Sequence, residues 1–132
     1  MAAVYTDAER NYLADQEAAR ITYMSLHTSN PGTTGTAEAT GGSPAYARQA
    51  VTFNASGAVG PMGATAQPAT IGVAWSNQVT FDVPTGTYTH FAAWNAATAG
   101  TIRCSNALSS SQVLASQGQI KVSIGVGPVS AA

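Results

Sequence analysis

The sequence predicts a mainly β protein: an antiparallel β-sandwich or jelly-roll-like barrel of about seven or eight strands, led by a short N-terminal helix. Three observations carry this expectation. After Arg20, short runs rich in Val, Ile, Thr, Tyr, Phe and Trp show a two-residue apolar period. Gly, Pro and Asn clusters punctuate those runs at the intervals of turns. No second helical pattern recurs between them, which disfavours a parallel α/β arrangement. At 132 residues the chain is the size of one domain that needs no disulfide or metal staple. The expected division is a helical segment over 1–20 and a β domain over 21–132.

The helix is predicted from about Thr6 to Arg20. Thr6 followed by Glu9 forms a capping-box pattern, Asp7 and Glu9 lie at the positive end of the macrodipole, and Arg20 lies at the negative end. Tyr5, Ala8, Tyr12 and Ala19, with Leu13 beside them, give a thin apolar face, so the helix should rest on a larger body. The first strand, 21–27, places Met24 and Leu26 on one face and Ile21 and Tyr23 on the other. A polar loop over 28–43 contains Asn30-Pro31-Gly32, Gly35 and Gly41-Gly42. A strand over 46–53 and a Gly, Ala and Pro-rich stretch over 54–69 come next. Further strands are predicted at 70–75, 78–83, 88–94, 101–107, 112–115 and 119–126. Pro84-Thr85-Gly86, Thr98-Ala99-Gly100 and Gln117-Gly118 supply turns, and Ser109-Ser110-Ser111 reads as another.

Charge is scarce and unevenly placed. Only 8% of residues are charged, against about 25% in a typical soluble protein. Six of them, Asp7, Glu9, Arg10, Asp15, Glu17 and Arg20, fall in the first twenty positions; the rest of the chain has Glu38, Arg48, Asp82, Arg103 and Lys121. A net charge of -1 without basic clusters argues against nucleic acid and anionic membranes as partners. No apolar run reaches the roughly 18 residues of a membrane helix, and the acidic start is not expected to be a secretory signal. A surface hydrated by Ser, Thr, Asn and Gln instead of charge suits a protein packed against its own copies or a partner.

Residues able to support catalysis are sparse. Cys104 is the single cysteine, alternates with Arg103 and Ser105, and reads as a small buried hydrophobe. His27 and His90 have no second ligand at strand spacing and read as structural. No Gly-x-Ser-x-Gly elbow occurs, and Gly125-Val126-Gly127 is followed by Pro128, not by a helix that could bind phosphate. Outside the helix the carboxylates are Glu38 and Asp82; Glu38 lies in a Gly and Thr-rich loop expected to hold it loosely, unlike a glycosidase pair. Neither an enzyme, a metal nor a cofactor is expected. Asn54-Ala55-Ser56 matches a glycosylation sequon that chance also produces. Trp75 and Trp94, with Tyr88 and Phe91, could line a carbohydrate-binding surface, although aromatics at strand spacing more often form core.

Three blocks in order carry a resemblance. They are Met24-Ser-Leu-His-Thr-Ser-Asn-Pro-Gly32, Gly35-Thr-Ala-Glu38-Ala-Thr-Gly-Gly42, and Tyr46-Ala-Arg-Gln-Ala-Val-Thr-Phe53. Downstream, Val79-Thr-Phe81, Thr89-His90-Phe91 and Trp94-Asn-Ala-Ala-Thr98 extend it. From about Ile21 onward the chain resembles a family of small virion proteins of tailed bacteriophages, variously called head fibre, tail fibre, minor tail or capsid decoration proteins. Ala39, the Ser43-Pro44 insertion and Asn95 depart from the family pattern. The resemblance implies a virion structural protein, assembled in the bacterial host cytoplasm and bound to major capsid or tail proteins, as a homo-oligomer or in multiple copies. A receptor-binding fibre needs length or a trimerising shaft, so a capsid-associated decoration or minor capsid protein is the leading expectation. A minor tail or tail-fibre-associated protein, with host glycan binding, is the alternative. The interface candidates are Glu38, Tyr46, Arg48 and, on the helix, Tyr12. Arg48 is expected to pin the adjacent loop through Glu38 or carbonyls, or else to contact a neighbouring subunit.

Overall fold

The structure is a computed structural model that describes residues 1–58 and 70–127. Part of the Gly, Ala and Pro-rich stretch, and Pro128, lie outside those residues. The elements are α1 (Asp7–Ala19), β1 (Tyr23–His27), β2 (Gln49–Ala50), β3 (Ala74–Trp75), β4 (Val79–Val83), β5 (Gly86–Trp94), β6 (Ile102–Leu114), β7 (Gly118–Val122) and β8 (Gly125–Val126). The fold is mainly β with antiparallel sheets, as expected. The barrel is not: among the described residues the strands form one open four-stranded sheet, β2-β1-β5-β6, and the separate pairs β3-β8 and β4-β7. No described helix is long and apolar enough to cross a membrane.

The chain divides into two compact units. The first comprises Met1–Arg20, Val51–Gln78 and Ser123–Ala132. Its helix begins where the Thr6 hydroxyl accepts the Glu9 amide at 3.2 Å, one half of the predicted box. The buried face differs from the apolar stripe in the sequence. Ala14 and Ala18 are buried, whereas Tyr5 and Tyr12 are 57% and 56% exposed. Polar grip and close approach decide this orientation. Asn11 Oδ1 accepts the Gly72 amide and Asp15 Oδ1 accepts the Ser56 amide, each at 2.8 Å. A Cβ at Gly127 (φ +129) would collide with Ala14 and the Gly72 carbonyl, so bulkier residues would hold the helix away. β3 pairs with β8, and Phe53 bridges Ser76.

The second unit comprises Ile21–Ala50 and Val79–Val122. β1 is an inner strand, paired along its whole length with β5 from Tyr23↔Trp94 to His27↔His90. Met24, Ser25, Leu26 and His27 are all buried, so the expected alternation fails: both faces of β1 are covered. Phe81 and Val83 on β4, and Tyr88, Ala92 and Ala93 on β5, complete the core. The predicted strands 101–107 and 112–115 are one strand, β6. Ser109–Ser111 is not a turn but belongs to a bulge: Tyr88 pairs with Gln112 and His90 with Ala107, leaving three extra residues on β6. The predicted strand 119–126 is broken instead, with β7 on β4 and β8 on β3.

Candidate functional site

The densest polar cluster lies in the second unit, around Arg48. Glu38 is held next to the end of β1 by a bridge to His27, with the Ala39 amide donating to Leu26 O at 2.9 Å and the Thr28 amide to Ala37 O at 3.0 Å. The preceding Ala37 sits at φ +61. The loop thus fixes Glu38 firmly, contrary to its Gly and Thr-rich composition. Arg48 reaches it from the residue before β2. Its Nε donates to Glu38 Oε2 and its second terminal nitrogen to Oε1, both at 2.9 Å, a two-pronged pair that a lysine could not make. Its other terminal nitrogen donates to Ala96 O at 3.2 Å and Ala99 O at 2.8 Å. Both readings of Arg48 as a pin, through Glu38 and through carbonyls, describe this geometry.

Two aromatic rings complete the cluster. The guanidinium carbon lies 3.6 Å from the centroid of Trp94, a cation–π contact in a mostly desolvated setting. Gly35 (φ +78) leaves room for the edge of that ring, which a Cβ there would strike. The Tyr46 hydroxyl donates to Glu38 Oε2 at 3.0 Å and accepts the Leu26 amide at 3.1 Å. Its ring stacks on Phe81 at 6.1 Å between centroids. Burial raises the Tyr46 phenol well above its ordinary range, so it acts as a neutral hydrogen-bond group. The surface above forms a recess of about 390 Å³ lined by Glu38, Thr40, Tyr46, Arg48 and Ala99.

Beneath Trp94 runs a buried chain of hydrogen bonds. Trp94 Nε1 donates to Ser25 Oγ at 2.7 Å. His27 Nδ1 lies 2.7 Å from Thr36 O, and a carbonyl can only accept, so Nδ1 bears the proton. In the neutral ring Nε2 then accepts, and the Ser25 hydroxyl, 2.7 Å away, donates to it. Burial is the main influence on His27 and lowers its pKa below the ordinary 6.5, outweighing the Thr36 carbonyl and Glu38. The unfolded chain therefore binds a proton more readily than the folded one. His27's contribution to stability is complete above pH 6.5 and is lost as pH falls through the lower, folded value. Urea unfolding between pH 8 and 5 should show stability falling by less than about 1.4 kcal/mol per pH unit below neutrality. His27→Gln should flatten that slope, and an unchanged slope would refute this assignment.

The structure brings together four of the six residues singled out in the sequence: Glu38, Tyr46, Arg48 and Trp94. Trp94 is 5% exposed and engaged on its face and at its nitrogen, so its ring is not open to a glycan. Tyr12 and Trp75 belong to the other unit. Tyr12 faces solvent; Trp75 is half-buried, with Nε1 lacking an acceptor among the described residues. His90 Nδ1 lies 2.8 Å from Thr89 Oγ1. Sequence reasoning passed over Ser25, although its place two residues before His27 on the same strand was the available signal.

A β-rich chain whose main polar cluster turns its hydrogen bonds inward, onto its own loops, has the character of a structural protein. It belongs to a family of phage virion structural proteins, the podophage GP4 fiber I protein gp80 family, which matches residues 11–128. No curated protein matches the chain.

Proposed function

We propose that the chain is a fibre-associated structural module of the phage particle, attached to a neighbouring virion protein through its N-terminal segment and Tyr12. The observation that carries this reading is where large apolar side chains meet solvent. Six described residues are of this kind, and four of them, Met1, Val4, Tyr5 and Tyr12, fall within the first twelve positions. Exposed apolar and aromatic side chains close together in sequence offer a protein partner surface to bury. The helix bearing Tyr12 is itself fixed through Ala14, Ala18, Asn11 and Asp15, so Tyr12 is presented on a rigid support.

Removing residues 1–5 and substituting Tyr12→Ser should abolish incorporation into particles while far-UV circular dichroism stays unchanged. Cutting further, to residue 20, would remove the buried Ala14 and Ala18 and confuse unfolding with loss of attachment. Normal incorporation of the shortened variant would sink the attachment reading. A second reading, capsid decoration, draws support from the scarcity of charge, 8% of residues, which suits a surface packed against neighbouring copies. Quantitative mass spectrometry of purified particles separates the two: a handful of copies favours the fibre, and copies in icosahedral multiples favour decoration.

A further inference from the structure

One edge of β6 is open. Among the described residues β5 is its only strand neighbour, and β6 runs for 13 residues. The opposite edge of the same sheet, β2, is two residues long. Long edges are ordinarily blunted by lysine or proline, whereas β6 has no proline and a single charge, Arg103. The neighbouring pairings show where its backbone groups point. Leu26 sends its amide to the Tyr46 hydroxyl and its carbonyl to the Ala39 amide, away from β5. Ser25 and His27 therefore turn to β5, where they meet Ala92 and His90. That leaves Phe91 and Ala93 to face β6, where they meet Asn106 and Cys104. The amides and carbonyls of Ser105 and Ala107 consequently point to the open edge. In agreement, the Ala107 amide donates to the side-chain oxygen of its own neighbour, Asn106, at 2.8 Å.

We infer that this edge pairs antiparallel with β6 of a second copy of the chain, about a twofold axis at Asn106. In that register Ser105 of each copy lies opposite Ala107 of the other, and their outward amides and carbonyls exchange hydrogen bonds. The register continues by setting Leu108, Ser109 and Ser110 against Cys104, Arg103 and Ile102. A groove of about 240 Å³ runs there, lined by Ile102–Ser105 and closed by Gly32 and Thr33. Successive side chains of a strand point to opposite faces, so a groove touching four in a row follows the backbone edge, the place an added strand occupies. Residues 107–110, Ala-Leu-Ser-Ser, bring no charge and no large ring into it. Charge also selects the direction. Antiparallel pairing about Asn106 offsets the two Arg103 residues by six positions, about 20 Å, beyond the reach of screened repulsion. Parallel pairing in register would set them about 4.8 Å apart. The bulges of β6 fall on either side of Cys104–Ala107, which pairs regularly with β5 and holds the proposed contact straight. The inference does not depend on attachment through the N-terminal segment.

Sedimentation velocity of the full chain from about 5 to 500 µM, with a reductant present so that Cys104 cannot cross-link copies, tests this. A monomer–dimer equilibrium should appear, with a dissociation constant on the order of 10–100 µM because a paired edge alone buries little surface. Amide hydrogen exchange at Ser105 and Ala107 should slow as the concentration rises. Ala107→Pro removes an outward donor, not a bond to β5, and should weaken the dimer at least about tenfold with circular dichroism unchanged. Ala107→Lys, which keeps the amide and brings two ammonium groups together across the axis, should do the same and serves if the proline variant misfolds. The variant lacking residues 1–5 and carrying Tyr12→Ser should still dimerise, which separates this interface from the attachment surface. A chain that stays monomeric at about 500 µM, or a dimer that both Ala107 variants leave unweakened, overturns the proposal. If the free chain is monomeric and β6 is protected from exchange only in whole particles, the edge belongs to another virion protein and the proposal likewise fails.

Discussion

Replacing Arg48 with alanine is expected to destabilise the protein by about 3 kcal/mol, measured by urea unfolding at pH 7. The side chain is 9% exposed and that of Glu38 22%, so neither group is solvated well enough for water to replace its partner. Without Arg48, Glu38 keeps only the Tyr46 hydroxyl, and the carbonyls of Ala96 and Ala99 lose a charged donor. Removing one member of a buried pair costs about 3–5 kcal/mol, and the partial exposure of Glu38 places this pair at the lower end. Arg48→Lys should cost about half as much, because an ammonium keeps the charge but not the fork. The double variant Arg48→Ala/Glu38→Ala should be clearly less destabilised than the sum of the single variants, since no charge is then stranded. A loss under about 0.5 kcal/mol for Arg48→Ala would mean the cluster behaves as an ordinary surface pair.

Legibility of these features in the sequence follows physical lines. The Thr6 cap and the location of most strands rest on local geometry that admits few alternatives and could be read directly, whereas for Arg48 the sequence left a pin to Glu38 and a contact with a neighbouring subunit both open. The docking face of α1 could not. Apolar periodicity points to Tyr5 and Tyr12, but the burial of Ala14 and Ala18 depends on the close approach of Gly127 and on hydrogen bonds to Ser56 and Gly72, far along the chain. Ser109–Ser111 has turn composition yet lies within β6, because pairing on either side carries the strand through the bulge. Residue type likewise could not tell whether Trp94 faces solvent or core; Arg48, Ser25 and Gly35 surround it from three separate segments. The alternation read across Ile102–Ser105 likewise fails, because a one-residue bulge at Arg103 interrupts the pairing with β5.

Trp94→Ala should be the most damaging single substitution in this cluster, at about 3–5 kcal/mol, by the same unfolding measurement. The ring is 5% exposed, and Gly35 beside it has no side chain with which to fill the space. Three losses coincide: apolar burial, the surface under the Arg48 guanidinium, and the Nε1–H bond to Ser25. Trp94→Phe separates them. A phenyl ring keeps most of the burial and a face for the cation, but cannot donate to Ser25, so it should cost only about 1–2 kcal/mol. Because Arg48 rests on this ring, Trp94→Ala should already disturb the Glu38 pair. Adding Arg48→Ala should then cost at least about 0.5 kcal/mol less than it does alone. Strict additivity would show that ring and ion pair are independent supports of their loops; a coupling of this size requires that they brace those loops as one unit.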